Sequence, residues 1–471
     1  MSNIKKNFIY NVLYQILVFL LPLITTPYLS RVLGAEKTGI YSFAHSIAYY
    51  FVMFAMLGLN NYGNREIAGN RDDISRRSQK FWSIYMLQLL TSCITICTYI
   101  LYCLIAKMND VISWILLLYV VSAALDINWF FWGLEEFKIT VTRNTIIKII
   151  SVISIFIFVK TRSDLAIYTF IMASSTVLSQ LLLFPYLAKR IKWYRPSLNE
   201  VLYHVKPNLI LFIPIVAISL YKVMDKVMLG KLTSFDEVGF YEYSEKVIAI
   251  PIACVNALGT VMLPRMSNLI STHQNNKENV IIKKSIVIGV ALAISMGFGL
   301  MGIAEYFVPF FYGAGYHKCV YLFYILMPSC AFLAVANILR TQFLIPRKRD
   351  KEYITSVIIG AIVNLVINFV LIPRLQSIGA AIGTLIAEGS VCIYQMYVLR
   401  CELPIGDYIK TTVELAIIGC GMLLAVLLTP TVGSLFITIC IKIIVGIMVF
   451  GILFYIRYKK LVLDLIRSEG S

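Results

Sequence analysis

Apolar runs of roughly twenty residues follow one another along nearly the whole chain, from near Phe8 to near Ile456. As a helix, each run is long enough to cross about 30 Å of hydrocarbon. Few folds accommodate such a pattern. Inside a bilayer, unpaired backbone N–H and C=O groups are too costly, so only helices and closed barrels span it, and a barrel needs segments of about 10 residues that alternate strictly. These runs do not alternate. With 59% hydrophobic residues, 14% charged residues and a mean hydropathy of +0.80, the 471-residue chain also lies far from the balance of a soluble domain. The reading is an all-α polytopic membrane protein.

The spacing predicts about fourteen transmembrane helices, the first over about 8–30 and the last over about 434–456. Lys and Arg collect on alternate connections: 61–80, 135–148, 189–206, 265–284, 347–351, 400–410 and 457–467. By the positive-inside rule those segments and both termini are expected to be cytoplasmic. The net charge of +17 therefore needs no nucleic-acid partner. The stretch Phe8 to Leu29 is too long for a signal-peptide core and has no cleavage site, so it is read as a retained helix.

No connection is large enough to build a catalytic domain with its own core, and no nucleophile triad, phosphate loop or metal-ligand spacing is visible. The four histidines stand in separate elements, and the ten cysteines are scattered without a CxxC pair, as inert buried thiols. Neither enzyme activity, metal nor cofactor is expected.

One phrase is written twice. "GIYSFA" at 39–44 returns as "GFYEYS" at 239–244, each just after a Leu-Gly pair, Leu33-Gly34 and Leu229-Gly230. Arg65 and Arg265 follow at the same offset, and Lys160-x-x-Ser163 is echoed by Arg374-x-x-Ser377. Six helices separate the copies. An even number gives both copies the same orientation, as two lobes related by a pseudo-two-fold axis along the membrane normal. The expected domains are residues 1–188 (helices 1–6), a linker at 189–206, residues 207–400 (helices 7–12), and 401–471 (two appended helices and a tail). The linker reads equally as a short amphipathic surface helix or as a solvated connector.

Ionisable residues inside spans are costly, which makes them default site candidates. Arg31, His45, Lys222, Asp225, Lys226, Glu242, Glu245 and Lys246 all come from helices 1, 2, 7 and 8. In "YKVMDKVMLG" the spacing of Lys222, Asp225 and Lys226 puts the three on one helical face. A cationic face with one carboxylate suits a bound anion, so Arg31, Lys222, Asp225, Lys226 and Lys246 are the candidate binding set. The competing reading has Asp225 pairing with lysines that snorkel to the interface. His45, Glu245, Glu388 and Asp126 are candidates for proton or ion coupling, with packing between helices as the alternative use of Glu388. In "PLITTPYLSR", Pro27 with Thr25 and Thr26 would make a hinge.

The stretches "YLSRVLGAEKTGIYSFA" (28–44), "DINWFFWGLEEFKITVTRN" (126–144), "MDKVMLGKLTSFDEVGFYEYSEKV" (224–247), "LPRMSNL" (263–269) and "IGAAIGTLIAEGS" (378–390) carry a resemblance. They resemble the polysaccharide-transport branch of the MATE-like superfamily, the Wzx-type oligosaccharide flippases, in order from helix 1 to helix 12. The resemblance implies a V-shaped two-lobed carrier that moves an oligosaccharide on a polyprenyl diphosphate lipid to the outer leaflet by alternating access. It also implies membrane lipids as partners, and a polysaccharide polymerase and other export proteins as neighbours in capsule, exopolysaccharide or O-antigen synthesis. Three alternatives stay open: a lipid II flippase, a drug or cation antiporter of the same superfamily, and a membrane-embedded polymerase. The antiporter is disfavoured by the Lys222/Lys226 pair, and the polymerase by the short outer connections.

Overall fold

A computed structural model describes residues 20–106, 110–272 and 275–469. The described residues contain helices and no strand. Residues 20–32 form the described part of the expected first helix, α1; positions 8–19 of that expectation lie outside the described residues. Thirteen further helices are long and apolar enough to cross a membrane. These are α2 (Gly34–Ala68), α3 (Ile74–Ile105), α4 (Val111–Gly133), α5 (Phe137–Phe158), α6 (Arg162–Leu187), α7 (Leu198–Leu220) and α8 (Phe235–Ser271). The rest are α9 (Glu278–Tyr312), α10 (Lys318–Leu344), α11 (Asp350–Leu375), α12 (Ser377–Leu399), α13 (Ile405–Leu428) and α14 (Leu435–Lys459). The chain is a multi-pass membrane protein. Large apolar side chains stay exposed along both halves, among them Ile146, Ile153, Leu424, Leu428 and Ile447, as a hydrocarbon solvent permits.

Local chemistry sets several helix ends. Asp73 caps α3, its Oδ1 accepting from Ser75 N (2.8 Å) and Arg76 N (3.1 Å), and Asp110 caps α4 by accepting from Ile112 N (3.2 Å). Thr161 and Asp164 form a capping box before α6. Helices α11 and α12 make a tight hairpin around Gln376, whose φ of 57° turns the chain back at once.

The segment 265–284, read from sequence as a loop, is almost wholly helical. Helix α8 runs 37 residues, about 55 Å at 1.5 Å per residue, well beyond the hydrocarbon. The hydropathy drop after Pro264 marks the membrane boundary, but no helix breaker follows it, so the helix continues. The charges of 135–148 are also displaced. Arg143 and Lys148 lie inside α5, and Arg143 is buried.

Packing divides the chain into two units. The first comprises Met1–Gly230 and Ser234–Gly239, the second Lys231–Thr233 and Phe240–Ser471. Two apolar clusters fill the first. One gathers Tyr62, Phe81, Tyr85, Trp129, Phe130 and Phe131, so the "NWFFW" stretch is a core element. The other gathers Leu29, Leu33, Ala48, Tyr99, Leu116 and Tyr168. In the second unit, ion pairs lace the basic helix ends: Arg347 with the buried Glu278, Arg349 with Glu352 (2.8 Å) and Glu402 (2.5 Å), and Lys283 with Asp407 (3.1 Å).

The predicted topology has a direct check. Reporters fused after Gly230 and Tyr316 are expected to read as extracytoplasmic, and those after Arg195 and Arg349 as cytoplasmic. One inverted reading among the four would break the fourteen-helix assignment.

Candidate functional site

Helix α7 packs in the first unit against α2, where Tyr50 Oη donates to Ser219 O (3.3 Å) and the Phe54 and Phe212 rings sit 5.3 Å apart. Its regular helix ends at Lys222. Val223 interrupts it, and a short helix, Met224–Leu232, follows. Lys222 is therefore not on an unbroken face with Asp225 and Lys226. Lys222 is exposed, Asp225 is buried and Lys226 is half-buried. Arg31 is exposed at the end of α1, its Nη1 donating to Pro27 O (2.7 Å). The helix passes through Pro27 without a break, Thr25 Oγ1 donating to Leu21 O (3.1 Å), with Thr26 buried beside it. The first interruption comes at Leu33, before Gly34 at φ 80°.

His45 lies in an aromatic group, its ring 5.5 Å from Tyr41 and 4.7 Å from Tyr119. In the second unit Lys246 Nζ reaches Glu242 Oε1 (3.2 Å) one turn away and lies 5.5 Å from the centre of the Tyr243 ring. Glu245 is half-buried. Glu388 is buried in α12, one turn before the buried Cys392.

The first unit holds a polar network that the sequence reading did not assemble. Helix α4 breaks at Ala123–Leu125, leaving Asp126 extended, and Gln88 of α3 closes the break by donating to Ala123 O (2.7 Å) and Asp126 O (2.8 Å). Asp126 Oδ1 accepts from Asn128 N (3.0 Å) and Nδ2 (2.6 Å). Arg143 of α5 is 7% exposed and donates to Asn128 Oδ1 (2.9 Å), Asn144 Oδ1 (2.7 Å) and the Ser179 carbonyl. Asn128 Nδ2 reaches Gln180 Oε1 (3.0 Å) of α6. Asp126 is thus linked to the buried guanidinium through Asn128. A signal for Arg143 was present: it stands six residues inside α5, where a loop charge would not be.

The linker is docked by specific bonds. Arg77 Nη2 donates to Arg190 O (2.6 Å), Trp82 Nε1 to Lys192 O (3.0 Å) and Gln79 Nε2 to Glu200 Oε1 (2.5 Å). Glu200 also accepts from Tyr194 Oη (2.8 Å), which holds that phenol above its ordinary value. Buried His204 is bonded on both sides of its ring, Nδ1 with Tyr62 Oη (2.7 Å) and Nε2 with Ser83 Oγ (2.9 Å). The linker ends in a six-residue helix, Leu198–Tyr203, which Glu200 ties to α3.

The twice-written phrase meets itself. A Cβ on Gly39 would lie 1.8 Å from the Phe235 carbonyl oxygen and 3.0 Å from Gly239 N. A Cβ on Gly239 would lie 2.1 Å from the Ala35 carbonyl oxygen. The first turns of α2 and α8 therefore cross backbone against backbone, with the Phe43 and Phe235 rings 5.5 Å apart beside them. A cavity of about 530 Å³ opens next to this crossing, with Lys37, Asp110 and Arg162 on its polar side and Ile40, Phe43 and Phe235 on its apolar side. Among the described residues no group of His, Cys, Asp and Glu is placed to hold a metal.

Residues 4–270 match the family described as "Polysaccharide biosynthesis protein", more than half of the chain. The chain belongs to that family. Two relatives named as O-antigen transporters match this polysaccharide biosynthesis protein over most of its length. One, from Escherichia coli (strain K12), is 27% identical over 408 residues, 84% of this chain and 97% of its own. The other, from Shigella dysenteriae, is 23% identical over 84% of this chain and all of its own. Among solved structures, the lipid II flippase MurJ in an inward closed conformation superposes with a TM-score of 0.77 at 17% identity, covering 97% of this chain and 99% of that one. At that identity the likeness is one of fold.

Proposed function

We propose that this chain is a flippase that moves an oligosaccharide linked to a polyprenyl diphosphate from the cytoplasmic to the outer leaflet of the bacterial cytoplasmic membrane. It works by alternating access, in the export of O-antigen, capsule or exopolysaccharide. The match to named O-antigen transporters over 84% of the chain carries this reading, within a family that makes polysaccharides. The fold of a lipid-linked substrate carrier supports it.

In this reading the basic helix ends face the cytoplasm, and Arg31, Lys222, Lys226 and Lys246 receive the diphosphate. Moving a diphosphate through the membrane means replacing its hydration, and cations in a region of lowered dielectric do so more strongly than in water. Asp225, buried beside Lys226, limits their mutual repulsion in the empty carrier. His45, Glu245, Glu388 and Asp126 are the groups through which a proton or ion would couple to transport. Pro27, with Thr25 and Thr26, serves as the hinge of α1. Polymerase and other export proteins are its neighbours.

The test is complementation of surface-polysaccharide production in a strain lacking the transporter, with membrane levels checked. Lys222→Ala and Lys226→Ala are expected to lower export several-fold. Lys→Arg at either position is expected to be better tolerated than Lys→Gln, and Asp225→Asn milder than either Lys→Glu reversal. Wild-type export by both Gln variants would remove these lysines from the mechanism.

A further inference from the structure

The cavity of about 530 Å³ opens on the face at which α2, α4 and α6 begin, and every residue lining it belongs to the first unit. In the topology read from sequence this is the outer face. Its two cations come from different helices but share one place. A Cβ on Gly34 would lie 3.8 Å from Arg162 Nε, so the side chain from the start of α6 runs against the first turn of α2. Lys37 stands three residues after Gly34 on that turn and is half-buried. Asp110 comes from a third helix, where its Oδ1 caps α4 by accepting from Ile112 N (3.2 Å). Among the described residues it forms no ion pair with either cation. The polar side of the cavity therefore presents separate positive and negative charges, and the other side is the apolar wall of Ile40, Phe43 and Phe235.

A soluble anion would be repelled by Asp110 and gain nothing from the aromatic wall, while an apolar molecule would leave the charges unanswered. An amphipathic zwitterion answers all of them. Its phosphate would face Lys37 and Arg162, its ammonium would face Asp110, and its glycerol and first acyl carbons would lie on the rings. We propose that this cavity is a binding site for a resident phosphatidylethanolamine, a membrane lipid that stays with the protein and is not its cargo. Phe43 and Phe235 belong to the two helices that cross at Gly39 and Gly239, and their rings are 5.5 Å apart. A lipid seated here touches both helices and braces the crossing.

Native mass spectrometry of the purified full-length protein tests this, with phosphatidylethanolamine, phosphatidylglycerol and diacylglycerol of identical acyl chains as the probes. Wild type is expected to bind phosphatidylethanolamine about tenfold more tightly than either of the others, the scale of one charge-assisted contact. That lipid alone should also raise the thermal unfolding midpoint in detergent. The double variant Lys37→Gln/Arg162→Gln is expected to bind phosphatidylethanolamine no better than diacylglycerol. Asp110→Asn separates the two signs of charge, because asparagine caps a helix about as well as aspartate and leaves α4 intact. It should bind phosphatidylethanolamine and phosphatidylglycerol equally. Equal binding of all three lipids by wild type, or an unchanged preference in both variants, would overturn the inference. Loss of export by the double variant with its lipid preference intact would also overturn it, and would assign the cavity to the transported saccharide.

Discussion

Gly39→Ala and Gly239→Ala are each expected to remove most export while leaving the chain in the membrane. Overpacking a helix contact costs about 1–3 kcal/mol when side chains can shift. Here the obstruction is a backbone oxygen at 1.8 Å or 2.1 Å, which no rotamer change relieves. The helices themselves would have to separate, putting the cost at the upper end of that range or above it. With about 1.4 kcal/mol per factor of ten, the population of this arrangement should fall about a hundredfold. Gly406→Ala is the control, because a Cβ there meets nothing within 4 Å. The measurements are the thermal unfolding midpoint in detergent and export in a strain lacking the transporter. Wild-type values for the two crossing variants would mean that α2 and α8 do not approach this closely.

Arg143→Met should act differently, by depleting folded protein. Its side chain satisfies the Ser179 carbonyl, Asn128 Oδ1 and Asn144 Oδ1. Asn144 Oδ1 keeps the Ser179 Oγ donor, so the loss falls on the Ser179 carbonyl and Asn128 Oδ1, at about 1–3 kcal/mol for each buried acceptor left without a donor. Asp126, held through Asn128, also loses its nearby cation, so a total of several kcal/mol is expected. Arg143→Lys keeps the charge but not the planar fork, and should fall between wild type and Met. Ile146→Ala, on the exposed side of the same helix, should be close to silent. The readout is the quantity of protein in the membrane fraction and its resistance to extraction and heating. Normal levels of Arg143→Met would show that the network contributes little to folding.

These two cases mark what local sequence can convey. The spans were legible because a bilayer imposes length and hydropathy on each segment separately. Boundaries failed where that pressure stops. Nothing in the polar stretch after Pro264 ends a helix, so α8 continues where hydropathy predicts a loop. Arg143 and Lys148 fell among the loop charges because an alternation rule counts a charge without knowing its depth. The repeated Gly-x-Tyr phrase singled out Gly39 and Gly239 as related positions, yet their meeting depends on residues two hundred apart and no local pattern encodes it. Lys222, Asp225 and Lys226 have ideal spacing for one face, but burial differs among them because the helix is interrupted at Val223.

Lys442 is 1% exposed in α14, and its Nζ donates to Val426 O (2.6 Å) and Thr429 O (2.8 Å) at the end of α13, 5.1 Å from the centre of the Tyr306 ring. The carbonyls that satisfy it belong to the preceding span. A lysine seven residues into an apolar span adds to the cost of membrane insertion, by less than the about 2.5–3.5 kcal/mol of a charge at the span's centre. Helix α14 therefore has reason to leave the translocon only with α13 alongside it. The order of synthesis supplies that partner, since α13 emerges first and can wait at the channel for the helix whose charge it will accept. The last two spans are in this sense one unit of biogenesis, and a ribosome stalled between them would leave α13 in the membrane with its final carbonyls open.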